Sequence, residues 1–391
     1  MPDGTEQITV KVIPSISDVS QEAWDECAGT SHPFTRHAFF SALEDSGSAT
    51  AETGWQPQHM IIEQATGGLL AAVPLYLKNH SYGEYVFDWG WADAFERAGG
   101  NYYPKLQCSV PFTPVTGARF LIPDHIENKQ AQDLRKALGG AMIQLAHRLE
   151  VSSIHVTFST KDEWKLLTDV GFLQRLGQQF HWHNKGYRTF DDFLEDLNSR
   201  KRKQIRKERR AVAEKDLSIQ ALSGAEIKEH HWDAFYQFYL STVDKKWGSS
   251  YLTRSFFSLL GERMADQVVL FMVEDAGNLV GGALNLKSDT TLFGRNWGCL
   301  ATHKFLHFEA CYYQAIDYAI QHGLQRVEAG AQGPHKIQRG YLPSPTYSSH
   351  WISHPGLKDA IEDFLARERL GMEFEMHQLA QHSPFRNTEQ S

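Results

Sequence analysis

The chain contains two segments built to the same plan, and this repetition limits its fold more than any other feature. MIIEQATGGLLAAVPLYLK (residues 60–78) and FMVEDAGNLVGGALNLK (residues 271–287) each contain an apolar run with Glu at its end, a glycine-containing turn and a second apolar run ending in Lys. Two apolar runs joined by a short glycine turn predict a β-hairpin. The sequence therefore predicts one hairpin in each half.

The elements after each hairpin also repeat in order. An aromatic strand is predicted next, and then an amphipathic helix that runs into a strand. The matching segments are 85–91 and 291–298 for the aromatic strands, and 134–158 and 307–330 for the helix and strand. A chain of 391 residues also exceeds what one hydrophobic core usually serves. We predict an α/β fold of two tandem domains, 1–175 and 176–391, each a mixed central sheet flanked by helices.

Composition and motifs exclude several classes of protein. The N-terminus lacks the pattern of a signal peptide, and no stretch approaches eighteen consecutive apolar residues, so a cytoplasmic protein without a membrane span is expected. The four cysteines are far apart and form no CxxC pair, which favours reduced thiols over disulfides or zinc ligands. The motifs of zinc proteases, serine hydrolases and P-loop NTPases are absent from the sequence.

A strongly basic stretch stands out in a chain of net charge −8. NSRKRKQIRKERRAVAEK (residues 198–215) holds nine basic residues against two acidic ones, and the segment from 190 to 216 is predicted to be one amphipathic helix. Like charges one turn apart repel, so this density predicts an anionic ligand: a nucleotide phosphate, a lipid head group or RNA. The alternative is a solvated helix whose acidic start and basic end follow the helix dipole.

A second stretch, EAGAQGPHKIQRGYLPSPTYSSHW (residues 328–351), contains groups suited to amide formation. Such a reaction needs a base for the acceptor amine and donors for the oxyanion of the tetrahedral intermediate. Glu328 and His335 are the candidate bases. Lys336 and Arg339 are three residues apart and are predicted to face one site, while Gly333 permits close backbone approach. The alternative is a charged surface loop after a strand.

Two weaker signals concern aromatic and histidine residues. Trp89 lies in an aromatic-rich segment that can line a cleft, although aromatic side chains in strands more often belong to a core. His181 and His183 are predicted on one face of a strand, without an acidic or cysteine partner in the sequence nearby. Packing or surface roles are therefore favoured over metal ligation, and no metal site is predicted.

The hairpin plan, the basic stretch and residues 328–351 together resemble the peptidoglycan biosynthesis/recognition proteins, the FemAB-like members of the GNAT acyltransferase superfamily. The resemblance implies two GNAT-like domains and transfer of an aminoacyl group from aminoacyl-tRNA to an amine of a peptidoglycan precursor. It also implies that cations of the basic stretch lie near substrate phosphates. The residues assigned to substrate binding there are Lys201, Arg202, Lys203 and Arg206.

The late stretch matches a second pattern of the family through Lys336, Arg339, Gly340 and Tyr341. The resemblance implies that the lysine stabilises charge at the acyl-transfer centre and that Tyr341 contributes to substrate binding. From these motifs we expect Lys203 and Arg206 to face the same site as Lys336 and Arg339. The outermost cations of the helix, Arg209 and Arg210, are expected to face solvent.

The donor is the point at which the sequence departs from ordinary GNAT enzymes. Those enzymes hold the CoA pyrophosphate on a glycine-rich loop at a helix N-terminus. Here the corresponding segment is CLATHKFL (residues 299–306), which contains no glycine. We therefore expect neither a cofactor nor tight binding of acetyl-CoA. The acceptor is expected to be a small molecule or a peptidyl-nucleotide. Two alternatives stay open: a CoA-dependent N-acyltransferase with a degenerate loop, and a non-catalytic RNA- or phosphate-binding protein.

Overall fold

The computed structural model describes residues 8–65, 67–246, 250–330 and 333–386. The N-terminal half contains β1 (Val10–Ile13), α1 (Gln21–Ala28), α2 (His37–Asp45), β2 (Trp55–Pro57), β3 (His59–Glu63), β4 (Leu69–Val73), β5 (Leu75–Lys78), α3 (Trp89–Arg97), β6 (Lys105–Cys108), α4 (Asn128–Arg148), β7 (Ser153–Ser159) and α5 (Lys161–Leu166). Among the described residues, no helix is both long and apolar enough to cross a bilayer.

The C-terminal half begins with β8 (Leu173–His183), α6 (Phe190–Asp196), α7 (Ser199–Ala213), β9 (Leu217–Leu222), α8 (Glu229–Lys246), α9 (Arg254–Arg263), β10 (Val268–Asp275), β11 (Asn278–Lys287) and β12 (Thr291–Cys299). It continues with α10 (Leu306–Phe308), a π-helical segment (Glu309–Tyr313), α11 (Gln314–Gln321), β13 (Arg326–Glu328), a 3-10 turn (Pro334–Arg339), β14 (Leu342–Ile352) and α12 (Pro355–Gln381).

The chain divides into two compact units. The first contains the chain up to residue 177 together with residues 346–371, and the second contains residues 178–345 together with those from 372 onward. The sequence-based division at 175/176 lies close to the first of these boundaries. Residues 346–371, which the sequence assigned to the second domain, belong to the first unit because this part of β14 pairs with β7.

The first unit contains a three-stranded sheet and a larger mixed one. The small sheet has the antiparallel order β1-β3-β4, and the large one has the order β2-β5-β6-β7-β14, in which β6 and β7 run parallel. Pro74 separates β4 from β5. It lacks a backbone N–H for the ladder, and the chain passes there from one sheet to the other. Strand β7 is buried along its whole length, against a core to which α4 contributes.

The second unit repeats this plan in a single sheet. Its strand order is β8-β13-β12-β11-β10-β9, with β12 and β13 parallel and the other pairs antiparallel. The hairpin β10–β11 corresponds to β3–β4, and the parallel pair β12–β13 corresponds to β6–β7. The turn of the second hairpin has positive φ at Ala276 (48°) and Gly277 (83°), as tight hairpin turns require. The fold class expected from the sequence is confirmed.

Two local predictions were wrong. The aromatic segment 85–91 is not a strand but a loop followed by the start of α3. The predicted single helix over 190–216 is two helices, because Leu197 is extended (ψ 153°) and Asn198 begins α7 by accepting a hydrogen bond from the Lys201 backbone N–H. Asn198 is one of the residue types preferred at this position, and its side chain satisfies a donor that the first turn leaves unpaired.

A group of buried charges holds part of the first unit together. The Lys105 ammonium on β6 donates to Ser81 Oγ (2.7 Å) and Glu84 Oε2 (2.8 Å), and it also contacts Asp88 Oδ2. All four side chains are buried. Charges taken out of water are stable only when they are paired and hydrogen-bonded, so each carboxylate here depends on the lysine.

A second lysine extends this group. The Lys78 ammonium on β5 lies 3.7 Å from Glu84 Oε1 and 3.6 Å from the centre of the Trp55 ring. Burial lowers the pKa of Lys78 to about 7, and burial raises the pKa of Glu84 to about 7. Both shifts reflect the cost of charge in a site from which water is excluded.

We expect Lys105→Met to lower the free energy of unfolding by about 3–5 kcal/mol, because it leaves Glu84 and Asp88 without their principal cation. The matched control is Lys11→Met, since Lys11 pairs with Glu63 on the surface and both side chains are about half exposed. That change should cost less than about 1 kcal/mol. Urea denaturation of both variants measures the difference, and equal small losses would show that the buried group contributes no special stability.

Candidate functional site

The candidate site lies in the second unit, where β13 ends. The parallel pairing of β12 with β13 covers only three residue pairs, 291–293 with 326–328, and β12 continues beyond the point where β13 stops. On the other side of β13, Glu328 pairs with His181 of β8. A Cβ at Gly294 would lie 3.1 Å from the carbonyl oxygen of Glu328, so the strands approach closely at this position.

Glu328 is a buried carboxyl group with incomplete hydrogen bonding. Its side chain is nearly inaccessible, and Oε1 lies 3.0 Å from Arg326 Nε. Oε2 has no hydrogen-bond partner among the described residues, and His181 Nε2 lies 3.8 Å from it. Burial raises the pKa of Glu328 to about 7, against the opposing effect of Arg326 and Arg295. A carboxyl group with these properties can exchange a proton near neutral pH.

His181 is the functional candidate that the sequence missed. Burial lowers its pKa to about 3, and nearby Arg326 acts in the same direction, so the imidazole is neutral. Its Nε2 lies 3.2 Å from Gln179 Oε1, a contact that requires the proton on this nitrogen. An acidic residue distant in the sequence, Glu328, lies opposite His181 in the sheet. Within the described residues no three metal-ligating side chains come together.

Lys336 lies on the 3-10 turn and extends to the end of β13. Its side chain is buried, and the ammonium donates to the carbonyl oxygens of Ala329 and Gly330, the second at 3.2 Å. Because these two residues directly follow Glu328, the structure brings the predicted Lys336 and Glu328 to the same strand end. The end of β13 therefore carries the Lys336 ammonium and a carboxyl group of raised pKa, which has Arg326 beside it.

Arg339 lies on the same turn, but its guanidinium is matched by a buried carboxylate. Nη2 donates to both oxygens of Glu208 on α7, at 3.0 and 2.9 Å, and the guanidinium carbon lies 3.5 Å from the centre of the Phe308 ring. Glu208 also accepts hydrogen bonds from the Tyr313 hydroxyl and, at 2.9 Å, from Gln204. These contacts connect the turn to α7. The catalytic role assigned to Arg339 stays a prediction.

The other residues predicted on this stretch lie among aromatic side chains. His335 is half-buried, with Nε2 3.1 Å from the Tyr312 hydroxyl, and burial lowers its pKa. Gly333 has φ 103°, and a Cβ there would lie 2.3 Å from the His335 ring, so the position requires glycine. Tyr341 is fully buried and donates to the Tyr312 carbonyl oxygen at 3.1 Å. In the structure Tyr341 is therefore a core residue.

Helix α7 presents two different faces. The face toward the 3-10 turn carries Glu208 and Lys201, whose ammonium donates to Gln338 Oε1 at 2.9 Å. Arg202 is partly buried. Lys203 and Arg206, expected to face Lys336 and Arg339, are instead exposed, and Arg206 pairs with Asp191 on the surface at 3.1 Å. The contacts between α7 and the turn are thus made by Lys201 and Glu208, and not by Lys203 and Arg206.

The prediction that Arg209 faces solvent was wrong. Its guanidinium pairs with Glu309 (3.1 Å) and Asp317 (2.8 Å) and lies 4.3 Å from the centre of the Phe190 ring. Arg210 is exposed, as expected. Five cations then share the exposed face of α7, at spacings of three and four residues: Arg200, Lys203, Arg206, Lys207 and Arg210.

Trp89, the remaining predicted residue, belongs to the first unit. It is the first residue of α3, its side chain is exposed, and its ring centre lies 5.1 Å from that of Phe87.

The chain matches a family model and several solved structures. The model, FemAB-like, is described as peptidoglycan biosynthesis/recognition and matches residues 15–387. The structure is similar to that of FemX, with a TM-score of 0.55 and 12% identity over 88% of this chain and 98% of FemX. No curated protein matches the sequence.

Two further structures share the fold. A conserved protein of unknown function from Bacteroides thetaiotaomicron has a TM-score of 0.51 and 11% identity, over 89% of this chain and 100% of that one. L-PGS from Bacillus licheniformis has a TM-score of 0.50 and 8% identity, over 89% of this chain and 96% of that one. At such low identities the likeness concerns the fold alone.

We expect Arg339→Met to destabilise the protein by about 3–5 kcal/mol, because Glu208 would stay buried without its cation. The double variant Glu208→Gln/Arg339→Met should lose less than the sum of the two single changes, since it removes both charges together. Urea denaturation of the wild type, both single variants and the double variant measures this coupling. Additive losses would show that the pair does not act as a unit.

Proposed function

Because the chain belongs to the FemAB-like family of peptidoglycan biosynthesis/recognition proteins, we propose that it is an N-acyltransferase that joins an aminoacyl group to an amine of a peptidoglycan precursor. The observation that carries this proposal is Glu328, a buried carboxyl group at a strand end whose pKa is raised to about 7 and whose Oε2 has no hydrogen-bond partner among the described residues. A base of this strength suits the removal of a proton from an amine near neutral pH.

In the proposed reaction Glu328 accepts a proton from the acceptor amine as its nitrogen attacks the carbonyl carbon of an aminoacyl ester. The new C–N bond gives a tetrahedral intermediate whose oxyanion is stabilised by the Lys336 ammonium, held at the same strand end. When the intermediate collapses, the C–O bond breaks and the proton passes from Glu328 to the leaving hydroxyl group. His181, whose imidazole is neutral, lies beside the carboxyl group with Nε2 3.8 Å from Oε2, so it adds no competing positive charge there.

We propose aminoacyl-tRNA as the donor, which places the reaction in the cytoplasm. The five exposed cations of α7 support this, because they extend over eleven residues, or about 15 Å of helix, and complement an RNA backbone. An acyl-CoA donor has less support, since the segment 299–306 between β12 and α10 offers no glycine to cradle a pyrophosphate.

We expect Glu328→Gln to lower kcat by about 10²–10⁴-fold, because the amide cannot accept the proton. Wild-type kcat/KM should rise with pH up to about 7, since the base must be ionised and its carboxylate fraction falls tenfold per pH unit well below the pKa. Transfer from a set of aminoacyl-tRNAs to a nucleotide-linked precursor peptide is the assay. The control Glu262→Gln changes an exposed residue of α9 and should behave as wild type. Full activity of Glu328→Gln would remove Glu328 from the mechanism.

Charge reversal tests the donor. Lys203→Glu/Lys207→Glu should weaken tRNA binding and reduce its salt dependence, because each phosphate contact contributes close to one unit to the slope of log K against log salt. Lys129→Glu/Lys161→Glu changes the net charge equally at two exposed sites of the first unit and should leave binding intact. If both double variants weaken tRNA binding equally, binding depends on the net charge of the protein and not on the exposed cations of α7. If the protein transfers an acyl group from acyl-CoA in the absence of tRNA, then acyl-CoA is the donor and the proposed aminoacyl-tRNA donor is wrong.

A further inference from the structure

The segment between β5 and α3 has its polar residues inside and its aromatic residues outside. Tyr82, Tyr85, Phe87 and Trp89 are 57%, 39%, 46% and 42% exposed. Ser81, Glu84 and Asp88, which alternate with them, are buried. We call residues 82–89 the aromatic loop. Four large exposed aromatic residues within eight positions form an exposed apolar patch, and such patches on soluble proteins commonly mark binding surfaces.

Buried contacts of the aromatic loop hold its backbone in the conformation that exposes these rings. The carboxylates of Glu84 and Asp88 point inward to Lys105. The backbone is fixed as well, because Lys78 donates to the carbonyl oxygen of Tyr82 at 3.1 Å and Arg175 donates to that of Phe87 at 2.8 Å. With its polar side chains and carbonyl groups held from inside, the loop presents its rings outward and cannot turn them inward without breaking buried ion pairs.

Three of the rings, those of Tyr82, Phe87 and Trp89, form one continuous group. The ring centres of Phe87 and Trp89 are 5.1 Å apart with an interplanar angle of 35°, and those of Tyr82 and Trp89 are 6.1 Å apart at 59°. Phe87 and Trp89 therefore offer a shallow apolar face, and Tyr82 adds a hydroxyl group near it. Tyrosine and tryptophan suit a ligand that is apolar on one side and polar at its edge.

The chemistry of the aromatic loop indicates the class of ligand. Its only charged residues, Glu84 and Asp88, are buried, so the patch itself carries no exposed charge. An anionic membrane surface or a nucleic acid would require cations there. A sugar ring is uncharged, has a C–H face that packs on aromatic rings, and carries hydroxyl groups at its edge. We infer that the aromatic loop binds the sugar part of the peptidoglycan-type acceptor, an inference that rests on the proposed function for its biological setting.

Calorimetric titration with a β-1,4-linked N-acetylglucosamine tetramer tests this inference. The wild type should bind the tetramer, and Phe87→Ala/Trp89→Ala should bind at least tenfold more weakly, a loss of about 1.4 kcal/mol. Phe374→Ala is the matched control, because Phe374 is an aromatic residue of α12 that is 66% exposed. It should bind as the wild type does. Both sets of rings are exposed, so thermal unfolding should be unchanged in all variants.

Several results would overturn the inference. These are absence of tetramer binding by the folded wild type at millimolar concentration, equal binding by the Phe87/Trp89 variant, and an equal loss in the Phe374 control. Sedimentation with phosphatidylcholine vesicles that depends on Phe87 and Trp89, without tetramer binding, would identify a membrane-contacting loop instead. A dimer that the same variant abolishes, again without tetramer binding, would identify a surface between copies of the chain.

The inference and the proposed function fail in different ways. Aminoacyl transfer to an acceptor peptide without sugar tests the proposed function alone, because it does not involve the aromatic loop. If that transfer occurs but the tetramer does not bind, only the sugar site is wrong. If the tetramer binds with the expected dependence on Phe87 and Trp89 while no transfer occurs with any donor, the sugar-binding surface stands and the proposed reaction is wrong.

Discussion

The buried ion pair between Glu208 and Arg339 determines where the candidate site of the second unit is built. Placing two charges out of water costs several kcal/mol per ion, and here the cost is offset by two Arg339–Glu208 hydrogen bonds and by those from Tyr313 and Gln204 to the same carboxylate. The pair fixes the 3-10 turn against α7. Because Lys336 lies on this turn, its position at the end of β13 depends on a contact made elsewhere on the helix.

Two buried glutamates of this unit have opposite surroundings. Glu208 uses both oxygens in hydrogen bonds, whereas Glu328 leaves Oε2 without a partner among the described residues. An unsatisfied buried polar group costs about 1–3 kcal/mol, so a fold retains one only where something offsets that cost. This difference in hydrogen bonding indicates that the two glutamates have different roles. Glu208 holds structure in place, and Glu328 keeps an oxygen ready for a proton, which is the property that the proposed reaction needs.

Local patterns in the sequence predicted the repeat, the fold class and a strand that ends at Glu328. The errors arose where residues distant in the sequence determine the local conformation or the burial of a side chain. Residues 85–91 alternate as a strand does, but Lys105 holds Glu84 and Asp88 inward and leaves Tyr85, Phe87 and Trp89 exposed. The role of His181 depends on the register of β8 against β13, and the burial of Arg209 depends on acidic residues about a hundred positions away. Neither partner can be read from neighbouring sequence.

Residues 346–371 complete the first unit, although they are synthesised long after β7, the strand with which they pair. Until they leave the ribosome, β7 lacks the partner that β14 later provides along one edge. At about 5–20 residues per second, the interval between the emergence of β7 and that of residue 371 is roughly 10–40 seconds. During that time the newly made N-terminal half carries an open edge on β7, a strand whose residues are all buried in the finished fold, and an open edge is a template for aggregation. Translation speed, and chaperones that cover such edges, should therefore influence the yield of folded protein more than for a chain whose domains close in order.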